Sequence, residues 1–119
     1  MKLLHVKQLE QVSDIDVTVK ERATNRLAIL DLEYGKERKL SDNGGYVMLI
    51  NEQDSQDIKE LKEFIALHSQ CFVEYAESFT GANNIKYWEL LFLISNDFGV
   101  IIFMTDGVLN QYKESFIWN

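Results

Sequence analysis

The sequence predicts a single α+β domain, residues 1–119, with a mixed or antiparallel sheet of about four strands packed against helices. Three observations carry this. Residues 87–107, YWELLFLISNDFGVIIFMTDG, hold two short apolar runs split by the turn formers Asn96-Asp97-Phe98-Gly99. Residues 19–34 and 55–68 repeat apolar side chains with a helical period. No proline, repeat or low-complexity tract divides the 119 residues, a length that suits one core burying roughly two-thirds of the unfolded surface.

The apolar stretch is a hairpin and not a membrane span. A spanning helix needs about twenty apolar residues, and a carboxylate at its centre costs several kcal/mol. Here Glu89 and Asp97 interrupt the run. In 87–95, Trp88, Leu90, Phe92 and Ile94 share one face, and Tyr87, Glu89, Leu91 and Leu93 the other. Residues 100–104 are all apolar. Apolar residues on both faces mean strands covered on both sides, here 87–95 and 100–105. Gly99 is expected to take positive φ in the connecting turn.

The remaining elements follow in order. Leu3, Leu4, Val6, Leu9 and Val12 favour a helix over 2–12, although Ile15-Asp16-Val17 alternates as a strand would. Thr18-Val19-Lys20-Glu21 matches a capping box. Val19, Ala23, Leu27, Leu30 and Tyr34 then line one face of a helix over 19–34, and Gly35 is placed to end it. The polar segment 36–45 leads into a buried strand, 46–51. Asp54 or Ser55 caps a helix over 55–68, with Asp57 and His68 suited to its dipole and Ile58, Leu61, and Phe64 or Ile65 on its buried side.

A strand over 71–79 puts Cys71, Val73, Tyr75 and Phe79 on one face and Glu74 on the other. Val108, Leu109, Tyr112 and Phe116 mark a closing helix over 107–116, capped by Asp106. The short loops between the last three strands require an antiparallel meander.

Charge narrows the function. The net charge is −7, and residues 1–50 carry eight acids and eight bases. The deficit therefore falls in 51–119, where only Lys59, Lys62, Lys86 and Lys113 oppose the acids. Such a surface repels nucleic acid and anionic lipid and attracts basic protein, so neither nucleic acid nor membrane is an expected partner. A lone Cys71 excludes an intramolecular disulfide and a cysteine zinc cage. With no apolar leader in MKLLHVKQLEQVSD, a cytoplasmic location is expected.

Catalytic and cofactor patterns are missing. Gly44-Gly45 precedes a strand, whereas a phosphate loop needs glycines between strand and helix. His5 and His68 belong to no metal pattern, and Asp14, Asp16, Glu52, Asp54 and Asp57 lack the spacing of a calcium loop. Cys71 near His68 reads as a buried structural thiol, and no GxSxG elbow occurs. Glu74 opposite Glu89 would be a carboxylate pair, which is more simply a wet polar rim. No cofactor, metal or catalytic residue is expected.

What remains is a binding surface. Glu74, Tyr75, Glu77, Tyr87, Trp88, Glu89 and Asp97 interleave acids with aromatics along adjacent strands, a composition suited to hot spots and to steering a basic protein. Lys20, Arg22, Arg26, Lys36, Arg38 and Lys39 form a basic segment that would suit a homodimer. The expected function is therefore a small, acidic, non-enzymatic interaction module of the inhibitor, immunity or regulatory type, docking on a basic protein. Two alternatives stay open: a ligand-binding or hydrolytic pocket between sheet and helices using Glu52, Asp54 or Glu89, and a DNA mimic.

Overall fold

The two apolar runs form antiparallel strands, β5 (Lys86–Ser95) and β6 (Phe98–Thr105). In the computed structural model, residues 3–34, 45–95 and 98–118 are described. Gly35, the connection 36–44, Asn96 and Asp97, and the side chains of Leu27, Leu30 and Tyr34 lie outside that description.

Before the hairpin come β1 (Leu4–His5), a 3-10 turn (Val6–Gln11), α1 (Val17–Tyr34), β2 (Gly45–Ile50), α2 (Ser55–Leu67), β3 (Phe72–Val73) and β4 (Tyr75–Thr80). After it come α3 (Asp106–Tyr112), a 3-10 turn (Lys113–Ser115) and β7 (Ile117–Trp118). The main sheet has five strands rather than four, in the order β1-β2-β6-β5-β4. β4, β5 and β6 make the expected meander, while β2 runs parallel to β6 and pairs Gly45 with Gly99 through to Ile50 with Met104. β3 and β7 pair in parallel as a separate small sheet.

Helices cover both faces, which explains why the central strands are apolar throughout. Leu90, Phe92, Ile102 and Met104 pack with Leu61 and Phe64 of α2 and Val108 and Leu109 of α3. Leu91, Ile101 and Phe103 point the other way, toward Val19 and Ala23 of α1 and Val6 and Leu9 of the first 3-10 turn. No described helix is long and apolar enough to cross a membrane.

Several expectations need correction. The expected helix over 2–12 is absent from the described residues 3–12: Leu4–His5 is an edge strand and Val6–Gln11 is 3-10. His5 caps that turn, accepting from the Lys7 amide (3.2 Å) while its own N–H donates to Gln8 Oε1 (2.8 Å). Thr18 does not cap α1. Its N–H donates to Asp16 Oδ1 (2.8 Å), and Lys20 N–H donates to the Asp16 carbonyl (3.2 Å), so Asp16 is the cap.

At the next helix Asp54, not Ser55, takes the capping role, accepting from the Gln56 amide. Gly99 is not a turn residue but part of β6, paired with Leu93 and Gly45. The strand over 71–79 breaks at Glu74. The Glu74 N–H donates to Leu91 O (2.9 Å) although Tyr75 is the register partner of Leu91, the two-against-one arrangement of a bulge. Val73 and Cys71 consequently pack on the α2 side and Tyr75 and Phe79 on the α1 side. Thr105, not Asp106, caps the last helix, which ends at Tyr112.

Candidate functional site

Alternation along β4 and β5 carries Tyr75, Glu77, Phe79, Tyr87 and Glu89 to one face, and α1 lies across it. Glu77 and Glu89 are direct cross-strand partners, so it is Glu77 and not Glu74 that faces Glu89. Glu89 is 1% exposed. Arg22 Nε donates to its Oε1 (2.9 Å) and Arg26 Nε to its Oε2 (3.0 Å). The second arm of Arg22 reaches Glu77 Oε1 at 2.9 Å. The same guanidiniums lie over aromatic rings, Arg22 on Phe79 (4.4 Å) and Arg26 on Tyr75 (3.7 Å).

Arg22 and Arg26 are one helical turn apart, which is what lets them straddle a carboxylate pair on adjacent strands. Burial works against the Arg22 charge, yet hydrogen bonds and attraction from Glu77 and Glu89 raise its pKa above the ordinary value. The acid–aromatic face expected to meet a basic partner thus meets basic side chains of its own chain.

The other proposed binding residues are dispersed. Glu74 is exposed at the bulge. Trp88 faces the opposite side, donating its indole N–H to Asp106 Oδ1 (2.8 Å), a bond that with nearby Lys86 holds the Asp106 carboxyl below its ordinary pKa. Asp97, Lys36, Arg38 and Lys39 lie outside the described residues. Of the residues proposed for the binding face, Tyr87 lines a concavity.

That concavity is a cleft of about 400 Å³ off the carboxyl ends of the parallel pair β2 and β6. The segment before α1 supplies Asp14 and Asp16, the β2–α2 connection supplies Asn51 to Gln53, and α2 supplies Asp57. The β4–β5 hairpin supplies Ile85 and Tyr87, and Leu49 and Phe103 form an apolar floor. Asp14, Asp16, Glu52 and Asp57 make this lining acidic, and no lining residue among those described is basic. Asp57 is 3% exposed and accepts from the Asn51 amide (2.9 Å), fixing the start of the β2–α2 connection.

One wall is joined to another by Asp16. Its Oδ1 accepts from Ala82 N–H (3.2 Å) as well as Thr18 N–H, and its Oδ2 accepts from Asn83 N–H (3.0 Å). Burial alone would raise the Asp16 pKa. The amides of Asn83, Ala82, Thr18 and Val19 outweigh it and hold the carboxyl below the ordinary value. A Cβ at Gly81 would stand 2.9 Å from Asp16 Oδ2 and 2.7 Å from the Tyr87 ring, so only glycine allows this approach. Asn83 Nδ2 in turn donates to Tyr87 Oη (2.7 Å).

Of Glu52, Asp54 and Glu89, the acids expected from sequence in a pocket between sheet and helices, Glu52 lines the cleft. Sequence reasoning left Asp14 and Asp16 without a site and gave no role to the lining residues Asn51 and Thr105 or to Asn83. Their convergence comes from the parallel pairing of β2 with β6, which leaves no local signal. No group of three or more histidine, cysteine or acidic side chains among the described residues is arranged to hold a metal ion. No protein-family model, curated protein or solved structure matches this chain.

Proposed function

We propose that this protein is a binding module and not an enzyme, docking on a basic protein that places a lysine or arginine in the acidic cleft. The observation carrying the proposal is a concave site lined by Asp14, Asp16, Glu52 and Asp57 with no base among its described lining residues. Arg22 and Arg26 already neutralise Glu77 and Glu89, whereas the described lining of the cleft pairs its acids with no basic side chain of its own. Low-dielectric walls focus such a field on an incoming cation. The floor of Leu49 and Phe103 suits the methylene stem of a basic side chain, and Tyr87 offers a ring beside it.

The test is a titration of isotope-labelled protein with a short amidated peptide holding arginine beside leucine, followed by amide chemical shifts. Shifts are expected at Asn51, Glu52, Gln53, Ile85 and Tyr87, and should vanish in the Asp14→Asn, Glu52→Gln double variant. Shifts confined to other surfaces would sink the proposal. A second reading, a pocket for a small free cation, is favoured by the position of the cleft outside the carboxyl ends of parallel strands, where open α/β sheets hold ligands. Spermidine producing the same shifts at equal concentration would select it.

A further inference from the structure

We propose that Asp16 is a positioning residue for the cleft, setting the hairpin wall of Ile85 and Tyr87 against the wall formed by Asp14, just before α1, and Val19 in its first turn. The inference rests on the reading of the cleft as the binding site. One carboxylate serves two elements distant in sequence: the first turn of α1 through the Thr18 amide, and the β4–β5 turn through the amides of Ala82 and Asn83. A cap needs only the first of these.

The second set is an addition that the surroundings are built to admit. Gly81 leaves the space that the carboxylate and the Tyr87 ring occupy. Asn83 passes the constraint on, since its backbone is held by Asp16 while its side chain holds Tyr87 Oη (2.7 Å) and accepts from Ile85 N–H (3.1 Å). Both hairpin residues that line the cleft are therefore tied, through one asparagine, to the residue that starts α1. Sheet pairing with Phe79 and Thr105 already fixes the Tyr87 backbone, and Gly81 N–H donates to Ile85 O (2.9 Å); the joint adds the side-chain placement of Tyr87 and a second tie on Ile85.

Asp16→Asn cuts the Asn83 contact of the joint and spares the cap. Asparagine caps a helix as well as aspartate does, and its single oxygen can still accept from Thr18 and Ala82, which share Oδ1 in the native protein. The atom that replaces the second oxygen is a donor, and it cannot accept from the Asn83 N–H. Because this change also removes a charge from the cleft, Asp14→Asn serves as the control that removes a charge and leaves the joint intact.

The measurements are amide hydrogen exchange, thermal midpoint, and affinity for the arginine–leucine peptide at low and high salt. In Asp16→Asn, the Asn83 amide should exchange much faster while amides of the first turns of α1 stay near wild type, and the thermal midpoint should fall only by the small amount that the ionised carboxylate contributes. Peptide affinity should fall about tenfold further than in Asp14→Asn. The excess should persist at high salt, because screening removes a charge effect and leaves a geometric one.

Equal losses in the two variants, or unchanged exchange at Asn83, would overturn the positioning role and leave the cleft proposal standing. A wild-type protein that does not bind the peptide would instead sink the cleft proposal, and the exchange arm would still decide whether the joint exists.

Discussion

Glu77 and Glu89 stand directly opposite each other on β4 and β5, and the repulsion between them is cancelled by Arg22 and Arg26 reaching down from α1. The arrangement makes α1 an electrostatic as well as an apolar cover. Removing both arginines would strand Glu89, at 1% exposure, without a counter-charge. Arg22→Ala with Arg26→Ala should therefore cost about 3–5 kcal/mol in urea denaturation, the range for breaking a buried pair from one side. Glu89→Gln should cost less, because the half-buried arginines can turn toward water. If the double arginine variant is as stable as wild type, the ion pairs contribute nothing to holding α1 on the sheet.

Asp16 gives the fold an acid-sensitive element. Its carboxyl titrates below the ordinary value of 3.8 in the folded protein, so the folded state favours the ionised form. The stabilisation is complete well above 3.8, and it is lost as pH falls through the lower folded value. Urea midpoints compared between pH 6 and pH 2.5 should fall less in Asp16→Asn than in wild type. Parallel curves for the two proteins would show that the three amide contacts contribute nothing.

Thr18→Ala should be nearly neutral, whereas Asp16→Ala should lose about 0.5–2 kcal/mol, the value of a cap. Denaturation curves of the two variants decide between the residues. A larger loss at Thr18 would return the capping role to the threonine.

Phe92 is 2% exposed and meets Phe64 and Phe116 at ring separations of 5.3 and 5.6 Å. Phe92→Ala should destabilise by about 3–5 kcal/mol through lost burial and the cavity left behind. The amides of β5 and β6 should also exchange more slowly than those of β1 and β7. Rapid exchange at Phe92 and Ile102 would contradict the central place of the hairpin.

Charge steering supplies the last measurement. Association with a basic partner should slow as salt rises past about 0.15 M, where the screening length is about 8 Å. Asp14→Asn with Glu52→Gln should lower the association rate at low salt. Lys59→Gln with Lys62→Gln, on α2 outside the cleft, should not lower it. Stopped-flow traces that show no salt dependence would assign the acidity to solubility alone.

The elements that were legible in the sequence are those whose signal is periodic. β5, β6, α1 and α2 each repeat apolar side chains over ten or more residues or over an unbroken run, and burial on both faces follows from composition. Pairs of residues such as Leu4–His5 and Ile117–Trp118 carry no period at all, so β1 and β7 have no local signature. The Glu74 bulge is silent for a related reason. Alternation on either side of it is regular, and only the pairing with Leu91 reveals the slip. That slip sends Val73 and Tyr75 to opposite cores, and it matches Glu77 with Glu89.

The cap of α1 was undecidable locally, because Asp16 and Thr18 are both good caps and the choice is made by amides at Ala82 and Asn83. The carboxylates of the cleft were visible one by one. Their meeting was not, since it depends on which strand lies beside β2.

The parallel alignment of β2 with β6 also governs the order in which the chain can assemble. β4, β5 and β6 are neighbours in sequence and close through short loops, so their contacts carry a small entropic cost. β2 closes later on the same entropic ground, because Gly45 and its partner Gly99 are far apart in sequence and the short-loop contacts of the meander cost less to form. During synthesis the same delay becomes a hazard. Val47 and Ile50, both buried in the native sheet, leave the ribosome well before the strand that will cover their edge. Until β6 arrives, that segment is an unpaired apolar strand, open to a chaperone or to the same strand of another nascent chain.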